Sequence, residues 1–235
     1  MNYVFASFFN SKKCPQRNVE WPSDYNLLMP LINSVLKNSN ATIIIFHDNF
    51  TDLPNIDRCI FKKVDISGLY AVTVERWFHY LKEIKKNSEI ENVFMVDSTD
   101  VLMLHNPFPF IEDNIIYCGS EYKWRIGDRW LKKRRKKLDK EFYFKDYLNL
   151  LEENADNDML NAGIVGGEKK IIIDFLHTLT ELHQKHSKNI DKSLDMNMFN
   201  YSILKNFNNR YQTGKKIHTR FKDHEQNGTS WWKHK

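Results

Sequence analysis

Short apolar runs alternate with amphipathic stretches along most of this chain. Runs of about four to eight residues rich in Val, Ile, Phe and Tyr read as strands, and apolar positions spaced three and four apart read as helices. Tyr3 to Phe9 is a first strand, Ala41 to Phe46 a second that ends at His47-Asp48-Asn49, and Cys59 to Val64 a third, shorter one. Before the second strand, Ser23 or Asp24 caps a helix through Leu27, Leu31, Ile32 and Val35 to about Lys37, with Pro30 either kinking it or delaying its start. Val72 to Lys86 carries Val74, Trp77, Phe78, Leu81 and Ile84 on one face and reads as an amphipathic helix. Val93 to Val96 is unbroken apolar sequence, as in a strand buried on both faces at the centre of a parallel sheet. Val101 to Leu104 is a second short run, stopped by Asn106-Pro107-Phe108-Pro109. Ile115 to Cys118 and Leu160 to Val165, the latter closed by Gly166-Gly167, are further strands; helices run from about Glu168 to Lys185 and from about Asp195 to Phe207. From Tyr211 the chain reads as loop and ends in Trp231-Trp232-Lys233-His234-Lys235. Strands alternating with helices predict an α/β fold with a mostly parallel central sheet flanked by helices. With no repeat, low-complexity linker or second core, residues 1–235 read as one domain.

The chemistry concentrates where Val93–Val96 ends. Asp97 and Asp100 follow at once, and ligands of open α/β sheets bind just outside the carboxyl ends of the strands. Two carboxylates there are costly unless something positive meets them, and a hard divalent cation with oxygen ligands does so. The competing reading is an Asx-rich turn in which both side chains bond nearby backbone.

Composition narrows the classes. Hydrophobic residues make up 41% and aromatics 14%, a globular balance and not a disordered one. No apolar run approaches the roughly 20 residues that cross a bilayer. The amino terminus lacks a basic region ahead of its apolar stretch, so no signal peptide is expected. Cys14, Cys59 and Cys118 are widely spaced and odd in number, which suits a reducing compartment. Together these predict a cytoplasmic protein. The net charge of +5 is uneven: residues 125–140 hold nine Lys/Arg against Asp128 and Asp139, a local +7, so the remainder sums to −2. A near-neutral body with one basic insert is not a general nucleic-acid binder. The insert is a solvated face, a lid over an anionic substrate, or a peripheral contact with an anionic membrane or RNA.

The stretch VFMVDSTDVLMLHNPF, followed roughly sixty residues later by LNAGIVGG, then DMNMFN and a terminal WWKHK, resembles the nucleotide-sugar-dependent glycosyltransferases of the GT-A fold, especially small bacterial and viral members. The resemblance spans nearly the whole chain. It implies a Rossmann-like GT-A domain with a nucleotide-binding half over about 1–105 and an acceptor-side half over about 106–235. It further implies transfer of a sugar from a nucleotide-diphosphate donor, a UDP-sugar for preference, to a hydroxyl of a glycan, lipid or protein-linked acceptor, with manganese or magnesium as cofactor.

Carried onto this sequence, the resemblance assigns Asp97 and Asp100 to the metal on the donor diphosphate, with Asp97 also able to meet the ribose. Two residues separate the acids where many members have one. His234 matches the histidine that completes the metal's coordination, with His218 and His224 as rivals, and Lys235 would lie beside the phosphates. Deleting Trp231–Lys235 is accordingly expected to cost catalysis more than stability. Asn161 and Gly163 correspond to the turn beneath the donor sugar. Asp195 falls where an acid faces the acceptor as general base or orients the donor, and equally where an N-cap is needed; Glu121 is a weaker candidate for that work. Ala6 and Ser7 would run past the base, with Phe8 or Tyr70 stacking on it. Gln16 and Arg17 would reach a phosphate. Arg76 either meets the base or diphosphate or is a surface arginine. The alternative is a metal-dependent nuclease using the same aspartates and the basic insert, which would need further acids at a second strand end.

Overall fold

A computed structural model describes residues 1–13, 20–128, 131, 143–186, 194–220 and 228–234. The strands are β1 (Asn2–Phe8), β2 (Thr42–His47), β3 (Cys59–Lys63), β4 (Asn92–Asp97), β5 (Val101–Met103), β6 (Ile116–Arg125), β7 (Asp158–Glu168), β8 (Tyr211–Gln212), β9 (His218–Arg220) and β10 (Trp232–His234). Five α-helices accompany them among the described residues: α1 (Met29–Asn38), α2 (Val72–Lys86), α3 (Tyr143–Glu153), α4 (Lys169–His186) and α5 (Asp195–Asn206). The large sheet runs β3-β2-β1-β4-β7-β6-β8, and a small one runs β5-β10-β9. Pairs from β3 to β4 are parallel, and β7 is antiparallel to both β4 and β6. This is the α/β architecture expected from the alternating pattern.

Side-chain alternation divides the core between the two sheet faces. Tyr3, Phe5, Val93 and Met95 pack with Trp77 and Tyr80 of α2 and with residues of α4 and α5. Val4, Ala6, Phe94 and Val96 pack with Leu31, Ile32 and Val35 of α1 and with Trp231 and Trp232. Period-two alternation along β4 therefore puts Asp97 on the α2 face, in line with Val93 and Met95.

Three expectations change. Pro30 stands in the first turn of α1, where its missing N–H costs nothing, and a 3-10 turn at Tyr25–Leu28 capped by the Asp24 side chain precedes it. β6 and β7 are much longer than their apolar cores. β4 reaches its last pair with β7 at Val96 and Ile164, whereas β6 and β7 continue together to Arg125 and Asp158. They form a hairpin-like arm that projects past the end of β4. The segment from Tyr211, expected as loop, supplies three short strands. β10 is the middle strand of its sheet, antiparallel to β5 and parallel to β9.

Candidate metal and donor site

Asp97 ends β4, Asp100 precedes β5 directly, and His234 ends β10. One ligand atom from each lies within 4.8 Å of the others. His234 Nε2 is 3.8 Å from Asp97 Oδ2. Below them, a Cβ on Gly163 would come within 2.6 Å of His234 Cε1 and 2.8 Å of Asp97 Oδ2. Only a residue without a side chain lets β7 pass this close. Two carboxylates and an imidazole, gathered around a gap at the rim of a cleft, are a donor set that fits a divalent cation such as manganese or magnesium.

The cleft is lined by Ser7, Phe8, Phe9, Trp21, Val72, Thr73, Arg76 and Asp97–Asp100. It lies at the carboxyl ends of β1 and β4, where ligands of such sheets bind. Arg76 is buried, not a surface residue. Its Nη1 donates to Asp97 Oδ1; its Nη2 donates to Asp195 Oδ2 at 2.9 Å and to the Ala162 carbonyl at 3.2 Å. Burial alone would lower the guanidinium, but Asp195 and Asp97 outweigh it and hold it above the usual arginine range. Asp195 is 2% exposed, and its Oδ1 accepts from the Trp77 indole N–H at 2.7 Å. Burial pushes its carboxyl up against the pull of Arg76 and Trp77. The structure turns the Asp195 carboxylate inward, onto Arg76 and Trp77. Asp195 is the first residue of α5 rather than its N-cap, which is Leu194.

Asn161 Oδ1 accepts from the Gly163 N–H at 2.6 Å, and its Nδ2 donates to Glu121. Glu121 also takes a hydrogen bond from Arg220 at 2.8 Å. Asn161 and Glu121 therefore meet beside the Asp97, Asp100 and His234 cluster, at the root of the β6–β7 arm. His218, the rival ligand, stands apart: its Nε2 accepts from the Ser120 N–H at 2.8 Å, and its ring centre is 6.4 Å from that of His234. Burial first, and the neighbouring His234 next, push it down to about 3.

Other expectations fare differently. Ala6 is fully buried in the α1-side core, because alternation turns its side chain away from the cleft that its neighbour Ser7 lines. Tyr70 stacks on Phe78 at 4.7 Å and Phe8 on Phe50 at 5.2 Å. His47 and Asp48 serve their own loops: His47 Nδ1 accepts from the Phe50 N–H, and the Asp48 carboxylate from the Asn10 and Ser11 N–H groups. Gln16, Arg17, His224, Lys235 and all of the basic insert except Arg125–Asp128 and Leu131 lie outside the described residues. Sequence reasoning missed Trp21 and Thr73 on the cleft and the Trp77 bond to Asp195. Trp77 sits on an apolar helix face, and nothing in its spacing tells a packed ring from a hydrogen-bonded one.

No protein-family model matches the chain, and neither does any curated protein. Solved structures do. An active-site mutant of LgtC superposes with a TM-score of 0.58 at 12% identity, over 100% of this chain and 86% of that one. The ligand-free form of WbbM, a bifunctional glycosyltransferase, superposes with a TM-score of 0.56 at 13% identity, over 92% of this chain and 39% of that one. At such identity the likeness is one of fold, and the fold is that of these glycosyltransferase neighbours.

Proposed function

We propose that the protein is a metal-dependent glycosyltransferase that moves a sugar from a nucleotide-diphosphate donor, a UDP-sugar for preference, to an acceptor hydroxyl. One observation carries the reading: Asp97, Asp100 and His234 converge at the rim of a cleft at the carboxyl ends of β1 and β4. The fold shared with LgtC and WbbM, both glycosyltransferases, supports it.

Each residue then has work that its position suits. Ser7, Phe8, Phe9 and Trp21 form the wall for the nucleoside, and Thr73 and Arg76 approach the diphosphate side. Asp97, Asp100 and His234 would hold manganese or magnesium, which neutralises the charge that builds on a departing diphosphate without a proton transfer. Asn161 and the bare backbone at Gly163 lie beneath the sugar. The β6–β7 arm, with the exposed Trp124 and with Glu121 bonded to Arg220 of β9, then receives the acceptor. A nuclease would need more acids at a second strand end; Asp97, Asp100 and His234 are the one group of its kind among the described residues.

Thermal denaturation with manganese tests this directly. UDP with manganese should raise the melting temperature, while single-stranded DNA and RNA should not, because only a ligand of the folded state stabilises it. Hydrolysis or transfer across a panel of UDP- and GDP-sugars then identifies the donor. Stabilisation by nucleic acid alone would overturn the assignment.

A further inference from the structure

We propose that Trp77 and Asp195 are positioning residues that decide which oxygen of Asp97 is offered to the metal. This rests on the metal-site reading above.

The Asp97 carboxylate is divided between two neighbours. Oδ1 takes the hydrogen bond from Arg76, while Oδ2 faces His234 and the glycine-lined floor at Gly163. An aspartate at a strand end does not keep such a division by itself, because its terminal torsion is broad and roughly two-fold. Arg76 imposes it, but only if the guanidinium is itself fixed. The guanidinium is a rigid planar fork, so holding Nη2 sets the direction of Nη1. Nη2 is held by Asp195 Oδ2 and by the Ala162 carbonyl. Asp195 is fixed in turn from its other oxygen by the Trp77 indole N–H.

The relay Trp77–Asp195–Arg76–Asp97 therefore ties α2, α5 and β4 together and ends on a metal ligand. Every member except Asp97 is buried. Trp77 and Arg76 are adjacent on α2, yet they grip opposite oxygens of one carboxylate. Asp195 consequently cannot turn toward the cleft without releasing both. Partners behind a metal's direct ligands commonly tune its affinity in this way.

The test uses Trp77→Phe, which keeps a buried ring but removes the N–H donor and leaves a small cavity. Manganese binding is followed by the EPR signal of free Mn2+ in the presence of UDP. UDP lacks the transferred sugar, so a role of Asp195 in holding that sugar would not move this readout. Manganese affinity should fall about tenfold, the range seen when a partner behind a ligand is lost. Asp195→Asn should fall at least as far. Val35→Ala, on the other face of the sheet, serves as a control for lost stability and should melt lower with unchanged manganese affinity. Wild-type affinity in Trp77→Phe, or equal weakening in Val35→Ala, would overturn the relay. A wild-type protein that binds no manganese with UDP would instead overturn the metal site itself.

Discussion

Asp97 and His234 reach the same small volume from two unlike scaffolds. β4 is six residues long, paired in parallel with β1 along its whole length and antiparallel with β7 as far as Val96. Its interior residues Val93–Val96 are buried on both faces, so the position of Asp97 follows from the sheet itself. β10 is three residues long and pairs with segments far away in sequence, His234 opposite Val101 and Arg220. So few strand bonds hold little alone. Burial of two indoles does the rest: Trp231 and Trp232 are 2% and 0% exposed. Both rings lie against Phe94, three residues before Asp97, and Trp231 also meets Tyr117 at 5.3 Å. Phe94 has room because residue 166 is glycine, where a Cβ would come within 2.3 Å of its ring. One half of the site is built into the sheet, and the other is fastened to it by aromatic packing.

Removing the fastening should have the largest effect. Deletion of Trp231–Lys235 takes out both indoles and the middle strand of the small sheet. Large-to-small changes at one buried Trp cost about 3–5 kcal/mol, against a total stability of roughly 5–15 kcal/mol. The truncated chain should therefore lose its cooperative thermal transition or melt far lower, contrary to the expectation that the deletion costs catalysis more than stability. A truncated protein that melts like the intact one would break the comparison between the two scaffolds.

The contrast also explains what could be read in advance. β1, β2 and β4 carry unbroken apolar runs (Tyr3–Ala6, Ile43–Phe46 and Val93–Val96), and burial on both faces writes itself into composition. Asp97 and Asp100 were legible because charge after such a run has few structural uses. β8, β9 and β10 have two or three residues each and no period to detect, so the chain from Tyr211 read as loop. The long β6 and β7 were cut short because polar residues such as Glu121, Lys123 and Arg125 fill the arm beyond the core. Arg76 stayed open between a donor contact and a surface arginine for a related reason. Lying off the apolar face of α2 suggests solvent, but here that position meets two carboxylates brought by β4 and α5.

Single-ligand changes should be milder for the fold and severe for the site. Asp100→Ala and His234→Ala each remove one donor while leaving both indoles in place. Both should abolish manganese-dependent stabilisation by UDP, worth about 2.7 kcal/mol for a ligand at a hundred times its Kd. Their melting temperatures without ligand should stay close to that of the wild type. If Asp100→Ala has this effect and His234→Ala does not, the two scaffolds do not share one metal. Gly163→Ala sharpens the same point from below. Its methyl would press on His234 Cε1 and Asp97 Oδ2 together, and overpacking of this kind costs about 1–3 kcal/mol. Manganese affinity measured with UDP should fall further than stability does; unchanged affinity would mean that the floor is not tight.

The smallest expected effect separates the scaffolds by pH. His218 begins β9 beside β10, and its Nε2 accepts from the Ser120 N–H, a bond that needs a neutral ring. Burial pushes it down to about 3 in the folded protein, against about 6.5 for a free histidine. Folding thus favours the neutral form. Its contribution is fully present above about pH 6.5 and is lost as pH falls from there toward 3, at up to about 1.4 kcal/mol per unit. Between pH 6.5 and 5.5 the loss should reach about 1 kcal/mol. His183, buried on α4, is also pushed down to about 3, mainly by burial, and adds a parallel loss in the main body. His218→Gln distinguishes them, because its amide oxygen can still accept from Ser120 but takes up no proton. The variant should melt lower at pH 7.5 and lose less on acidification to pH 5.5 than the wild type. Identical acid sensitivity would assign the loss to the main body and leave the small sheet indifferent to pH.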